Sequence, residues 1–210
     1  MSEPKARADR IQPLTPWLYH WTVPDDRIDN YRSDAYAVLT PEGLILIDPL
    51  PLTDKAQATL ENVAAIYLTG GQHQRSAWRY RNALGVPVYA PEGAAELEEE
   101  PDQWYRDGDS LPGGFTTIQI HGMGSSFALL METEGGSGAL FCGDLLIRAS
   151  NEPFQLLPDR FMDDPARVRE SAEKLAQIQI EILCSAHGEP CVTGCGKAIR
   201  EALEKRKASK

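Results

Sequence analysis

The sequence lacks an apolar run long enough to span a bilayer, and its first ten residues carry no apolar stretch of the secretory type. We therefore expect a soluble, cytoplasmic protein. Positive charge is also scarce, with 21 Lys and Arg against 31 Asp and Glu and a formal net charge of -10. Nucleic acids and anionic membranes are bound through cationic surfaces. We expect neither of them as a partner.

Cysteine is rare as well, with four residues in a chain of 210. This density does not predict a disulfide framework. Cys142 and Cys184 lie in apolar runs and are expected to be core thiols, whereas Cys191 and Cys195 flank a turn. Repeats, low-complexity segments and long linkers are absent too, so we predict one domain over residues 1–210, with residues 1–10 as a flexible N-terminus.

Three apolar, strand-like runs end in polar residues. The run Ile66–Thr69 leads into polar residues and then into a helical pattern that begins at Ser76. Ala139–Asp144 ends in a carboxylate, and Glu181–His187 ends in an imidazole. Because a rigid sheet holds the loops at strand ends, binding sites often form there. We expect the functional residues at these three points.

The rest of the chain alternates between strand and helix patterns. The acidic segment 92–109 is predicted to form a surface helix and loop, and residues 134–138 a hairpin turn. Strands occur in two groups, each followed by helices, which favours a β-sandwich with helices on its outer faces. We predict strands over 17–23, 35–40, 44–48, 86–89, 115–120 and 127–131, and helices over 53–62, 76–84, from 164 onward and 197–207.

The strand-end motifs resemble those of the metallo-β-lactamase-fold superfamily, which includes lactonases, glyoxalase II and related hydrolases. The matching segments are Leu68-Thr69, Phe141-Cys142-Gly143-Asp144-Leu145-Leu146 and Ala186-His187-Gly188. The resemblance covers about residues 30–204. It implies an α+β fold, the four-layer αββα sandwich, in which Asp48 steadies a loop near the site.

The residues at the family's metal-binding positions differ from the family pattern. Its H-x-H-x-D-H motif aligns with Gly70, Gln72, Gln74 and Arg75, none of which is a good metal ligand. The bridging carboxylate and the last histidine align with Asp144 and His187. One further family histidine aligns with Gly122, one place from His121. The resemblance therefore does not predict a complete dinuclear zinc centre.

We first hypothesise a metal-independent protein or pseudoenzyme without a cofactor, which holds an unidentified small molecule. The residues expected to line its site are Asp144, His187, Arg75 and His73, with Gln72 and Gln74. An ion pair between Arg75 and Asp144 would replace the lost cation, since a guanidinium binds a carboxylate in bidentate fashion. The other interpretation of Arg75 is a solvent-facing side chain at a helix start.

The alternative is a hydrolase of an ester, lactone or thioester. In this hypothesis, one zinc or other divalent metal is bound by Asp144, His187 and either His121 or His73, and activates water. A metal-free hydrolase with a histidine base and Arg75 as oxyanion stabiliser ranks third. For the oligomeric state, the aromatic segment Trp17–Trp21 is either an exposed edge that pairs two copies as a homodimer or part of the core.

Overall fold

The computed structural model describes residues 3–95, 97–132, 138–150 and 152–208. The predicted turn at 134–138 lies outside them except for Gly138. The chain divides into two compact units, Met1–Tyr105 and Arg106–Lys210. Each unit has its own sheet. Among the described residues, no helix combines the length and the apolar character needed to cross a bilayer.

In its described residues, the first unit is a seven-stranded sheet with two α-helices. Its strands lie side by side in chain order, antiparallel from β1 to β4 and parallel from β4 to β7. They are β1 (Gln12–Pro13), β2 (Leu18–Asp25), β3 (Tyr31–Thr40), β4 (Gly43–Ile47), β5 (Val63–Tyr67), β6 (Val88–Pro91) and β7 (Gln103–Tyr105), and the helices are α1 (Asp54–Gln57) and α2 (Ala77–Leu84). The parallel part places the carboxyl ends of β4 and β5 side by side.

The part of the second unit that the structure describes is a five-stranded sheet with a separate two-stranded ribbon and two α-helices. The sheet order is β14-β11-β10-β9-β8, and β11 and β14 are parallel neighbours. The strands are β8 (Ser110–Leu111), β9 (Phe115–Gln119), β10 (Phe127–Glu132), β11 (Gly138–Phe141), β12 (Leu146–Ile147), β13 (Gln155–Leu156) and β14 (Ile180–Cys184), and the helices are α3 (Pro165–Leu175) and α4 (Ala198–Ala208).

Helix α3 begins where the sequence places it. The Asp164 carboxylate caps it by accepting hydrogen bonds from the N–H groups of Ala166 and Arg167 at 3.0 and 3.2 Å, and Pro165 occupies the first turn. Its buried face includes Val168, Ala172 and Leu175, which pack into the core of the second unit. The periodicity of the sequence identified this face correctly.

Two predicted helices differ from the structure: one is shorter, and the other is absent from the described residues. The helix predicted over 53–62 is only the four-residue α1, because the Thr59 hydroxyl donates to the carbonyl of Ala56 and the following turn tightens. The described part of 92–109 contains the strand β7 and no helix. There the turn at Gly93, with φ of 78°, and Pro101 interrupt a helical backbone.

The cysteines and the aromatic segment also have definite positions. Cys142 and Cys184 are buried free thiols, as predicted, but Cys191 and Cys195 form a disulfide that cysteine density did not indicate. Burial raises the pKa of the Cys142 thiol to about 12. Trp21 is 2% exposed and donates from Nε1 to the carbonyl of Leu50. Of the two roles left open for the aromatic segment, this residue therefore has the core one.

Candidate functional site

The first candidate site lies at the carboxyl ends of β4 and β5, where Asp48 and Thr69 follow the two strands. Asp48 Oδ1 accepts from the backbone N–H of Thr69 at 2.8 Å, and Asp48 Oδ2 accepts from the Thr69 hydroxyl at 2.5 Å. Asp48 is 3% exposed and Thr69 is 2% exposed. This double hydrogen bond fixes the loop after β5 to the end of β4, as the family resemblance implied for Asp48.

His73 joins this pair from the short 3-10 helix Gly71–His73. Its Nδ1 lies 2.7 Å from Thr69 Oγ1 and 3.2 Å from Asp48 Oδ2, and the residue is buried. Histidine ring orientation is commonly set by such contacts on one nitrogen. Asp48, Thr69 and His73 therefore form one hydrogen-bonded chain, which we call the Asp48–Thr69–His73 chain.

Gln74 is buried next to this chain and is fully used as an acceptor. Its Oε1 accepts from Trp78 Nε1 and from the backbone N–H of Glu98, each at 2.7 Å. Without this acceptor the indole N–H of Trp78, which is buried, would lose its partner, and an unpaired buried donor costs free energy. Gln74 therefore supports the structure by linking α2 to the segment before β7.

Arg75 is buried rather than solvent-facing, so the alternative interpretation of this residue was wrong. Its Nη1 donates to the backbone carbonyls of Asp34 and Asp48, at 2.8 and 3.1 Å. Arg75 and Asp48 also both have positive φ, 36° and 48°. Non-glycine residues in this region cost of order 1–3 kcal/mol and cluster at functional sites. The predicted ion pair of Arg75 with Asp144 joins residues of different units and stays a prediction.

Asp34 and Tyr105 lie near the same strand ends, and each has a shifted pKa. Although burial opposes it, hydrogen bonds from His20 and Arg32 hold the pKa of Asp34 below its usual range. Burial and the charge of Asp48 raise the pKa of Tyr105, whose hydroxyl donates to the carbonyl of Leu68 at 2.5 Å. At neutral pH Asp34 is therefore an anion and Tyr105 a neutral donor.

The second candidate site lies at the carboxyl ends of β11 and β14. His187 Nε2 is 3.2 Å from Asp144 Oδ1, and both side chains are partly exposed, 14% and 15%. The backbone N–H of Ala186 donates to the carbonyl of Gly143 at 2.9 Å, which holds the two strand ends together. Both residues therefore follow strands, as the sequence predicted, and the structure shows that these strands are neighbours. His121, one place from the family position, donates its backbone N–H to Ser171 Oγ at 3.0 Å.

Gly188 allows the chain after His187 to approach β12 closely. Its φ is 155°, and a Cβ added there would lie 2.5 Å from the Cβ of Arg148. The N–H of Arg148 donates to the carbonyl of His187 at 2.9 Å. A side chain at position 188 would disrupt this contact, so the glycine helps to place His187.

The first strand end does not fit the family's dinuclear metal centre. A Cβ at Gly70 would lie 2.7–3.0 Å from the amide atoms of Gln72, so the Gln72 side chain covers the place from which a ligand at position 70 would extend. Gln74 Oε1 already accepts two hydrogen bonds, and the Arg75 guanidinium is cationic. Asp144 and His187 supply two ligand atoms, fewer than the several ligands that each metal of such a centre requires.

Sequence reasoning missed the hydrogen-bonding roles of Thr69 and Gln74. The parallel pairing of the apolar runs at β4 and β5 was a usable signal for Thr69, since it brings their polar successors together. For Gln74, the i to i+4 spacing to Trp78 was the only local signal.

Comparison with solved structures shows the fold. The structure is similar to TMB-1 (TM-score 0.73, 14% identity, 98% of this chain and 100% of that chain) and to the metallo-β-lactamase from Pontibacter korlensis (0.71, 16%, 93% and 98%). It is also similar to the class B3 di-zinc metallo-β-lactamase LRA-12 from an Alaskan soil metagenome (0.67, 14%, 100% and 98%). These likenesses confirm the predicted α+β fold class of the metallo-β-lactamase type.

No curated protein matches the chain significantly. The family model described as the metallo-beta-lactamase superfamily matches residues 13–199. Since this match spans most of the 210 residues, including all three strand ends, the chain belongs to the metallo-β-lactamase superfamily.

Proposed function

We propose that this protein binds a small molecule without a dinuclear metal centre, at the strand ends where its relatives hold metal. The observation that carries the proposal is that the side chains at two of the family's ligand positions make structural hydrogen bonds. Gln74 holds Trp78 and Glu98, and Arg75 holds two backbone carbonyls. Groups that are buried and hydrogen-bonded in this way are not available to coordinate a metal ion without loss of stability.

The proposed ligand site of the first unit has both a cation and hydrogen-bonding groups. Arg75 supplies a guanidinium that is 2% exposed, and His73 supplies an imidazole held by Asp48. Asp48 and Arg75 both have positive φ, and the rest of the fold must offset the free-energy cost of this backbone strain. A small polar molecule with an anionic group and a hydrogen-bond donor suits these two residues.

Metal content is the first test. The untagged protein is purified after growth with zinc, manganese and iron, and its metals are measured by elemental analysis. We expect well below one metal per chain, with no rise in Tm when zinc is added, because a ligand that binds the native state would raise it. Asp144→Ala should leave the metal content unchanged. About one metal per chain, lost in Asp144→Ala, would overturn the metal-independent proposal.

Ligand binding is tested by a thermal-shift screen of polar metabolites. We expect at least one compound that raises the Tm of the wild type and fails to raise that of His73→Phe. The control is Gln12→Met, an exposed change in β1 that should respond like the wild type. A screen without any stabilising compound, or with hits that are equal in all three proteins, would count against ligand binding at this site.

The second candidate function is a hydrolase with a single metal, favoured by the 3.2 Å approach of His187 Nε2 to Asp144 Oδ1. Asp144 and His187 would hold the metal, with His121 or His73 as the third ligand. A metal bound there would supply Lewis-acid activation of water toward an ester, lactone or thioester. Separate His121→Ala and His73→Ala variants identify the third ligand by which of them loses bound metal.

A further inference from the structure

The Cys191–Cys195 disulfide lies at the surface of the second unit, beside β14. Cys191 is partly exposed, whereas Cys195 is 1% exposed and packs in the core of the unit. Thr193 and Gly194, in the turn between them, are both exposed. A thiol in solution can therefore approach the bond from the Cys191 side, while protein covers the Cys195 side.

The fold holds the two cysteines close together by contacts other than the disulfide. The N–H of Leu183 donates to the carbonyl of Cys191 at 2.8 Å, and the N–H of Cys191 donates back at 2.9 Å. Cys195 begins a 3-10 helix that runs directly into α4, whose Ile199 and Leu203 lie in the same core. The two cysteine Cα atoms are 5.9 Å apart, within the usual range for disulfides. The bond can therefore open and close without a rearrangement of the chain.

The bond also closes a very short loop, with a sequence separation of 4. The entropy that a disulfide removes from the unfolded chain grows with the length of the loop. This disulfide therefore restricts the unfolded chain less than a long-range cross-link does. An exposed position and a small contribution to folding are typical of disulfides that are reduced and formed again, rather than of those that hold a fold together.

We propose that Cys191 and Cys195 form a reversible redox site that reacts with dithiols. A thiolate of the dithiol attacks Cys191 Sγ, the bond between the two cysteines breaks, and Cys195 leaves as a thiolate that takes up a proton. The second thiol of the dithiol then attacks the mixed disulfide and releases Cys191. The cysteine pair gains two electrons and two protons, and the dithiol is oxidised to a disulfide. The reverse reaction forms the bond again.

The redox state of this pair acts on the loop that carries His187. The two hydrogen bonds between Leu183 and Cys191 close residues 184–190 into that loop. In the oxidised protein, Cys191 is tied covalently to Cys195 in the core. In the reduced protein this covalent tie is lost, so the loop at the carboxyl end of β14 opens more often. This effect does not depend on what the second candidate site binds.

Thiol trapping tests whether the bond reacts in the folded protein. The full chain is treated with oxidised glutathione and then with dithiothreitol, in native buffer or in urea, and each sample is denatured in acid and labelled with N-ethylmaleimide for peptide mapping. We expect Cys191 and Cys195 to be unlabelled after oxidation and labelled after reduction in native buffer. The control thiols Cys142 and Cys184 should be labelled in every sample. Labelling of the pair after oxidation, or reduction only in urea, would overturn the proposal.

Hydrogen exchange measured by NMR tests the effect on the loop. We expect the amides of Leu183 and Cys191 to exchange faster in the reduced protein, by up to about 30-fold, which is the loop-closure term of so short a loop expressed as an equilibrium constant. The control is the amide of Ile120, which donates to the carbonyl of Ser126 in the same unit and should not change. Cys191→Ser should exchange like the reduced wild type, with no response to dithiothreitol. Equal rates in the two redox states of the wild type would overturn the effect on the His187 loop, whether or not the variant folds.

Discussion

Replacing Gln74 by methionine tests whether a former metal-ligand position now supports the fold. The substitution keeps the length and approximate volume of the side chain but removes the acceptor Oε1. Trp78 Nε1 and the N–H of Glu98, each 2.7 Å from that oxygen, then lose this partner. Gln74 and Trp78 are both 5% exposed, so water does not readily replace the lost acceptor.

The magnitude follows from Trp78 Nε1, the buried donor of the two, because Glu98 is an exposed residue whose N–H can bond to water. A buried donor left without its partner costs about 1–3 kcal/mol, so Gln74→Met should lower the free energy of unfolding by about 1–3 kcal/mol. Gln74→Ala should cost at least as much, because it adds a cavity. The matched control is Gln12→Met, which lies exposed in β1 and should change stability by no more than about 0.5 kcal/mol.

Urea unfolding followed by tryptophan fluorescence measures this difference. We expect a lower midpoint for Gln74→Met at an unchanged slope, which indicates a change in stability rather than in the denatured state. The emission of Trp78 should also change in the folded variant, because its indole N–H has lost an acceptor. If Gln74→Met and Gln12→Met unfold at the same urea concentration as the wild type, Gln74 does not support the fold and our interpretation of this position is wrong.

Three further predictions concern other parts of the chain. Burial opposes ionisation of Asp25, but hydrogen bonds from Arg27 and Ser33 lower its pKa to about 2. The stabilising contribution of Asp25 is therefore complete above about pH 4 and is lost as the pH falls toward 2. Asp25→Asn should lack this acid-dependent component, and an equal acid dependence of both proteins would contradict the prediction. Gly188→Ala should destabilise the protein by about 2 kcal/mol or more, as measured by thermal unfolding. The control is Gly124→Ala, whose φ of 53° also carries strain but whose added Cβ meets nothing within 4 Å. Breaking the Cys191–Cys195 disulfide by Cys191→Ser should cost about 2 kcal/mol by loop-closure entropy, and a reductant should lower the Tm of the wild type but not of this variant.

The strand ends were accessible from the sequence because each combines an apolar run with an abrupt change to polar residues. Asp144 and His187 follow the parallel neighbours β11 and β14, so placing the runs correctly was sufficient to bring these residues together. Helix α3 was equally predictable, since its cap residue Asp164 and Pro165 are local signals. These features depend on few long-range contacts.

The remaining features depend on contacts between distant residues, which one sequence does not specify. Gln74 accepts from the backbone of Glu98, 24 residues away in a segment that lacks regular structure at that point. The direction of the Arg75 side chain follows a positive φ that arginine rarely adopts. The disulfide was missed because cysteine density describes a framework and not one local pair such as Cys191 and Cys195.

The altered ligand positions are coupled to one another, which bears on whether metal binding is easily restored. A histidine at position 70 would meet the Gln72 amide, the exposed end of a flexible side chain, which would have to move aside. An aspartate at position 74 is one methylene shorter than glutamine and would not reach both Trp78 and Glu98 from the same backbone. A histidine at position 75 would remove the donor that serves the carbonyls of Asp34 and Asp48. The single steps at positions 74 and 75 thus lose contacts before any metal is gained, and neighbouring substitutions of this kind are not additive.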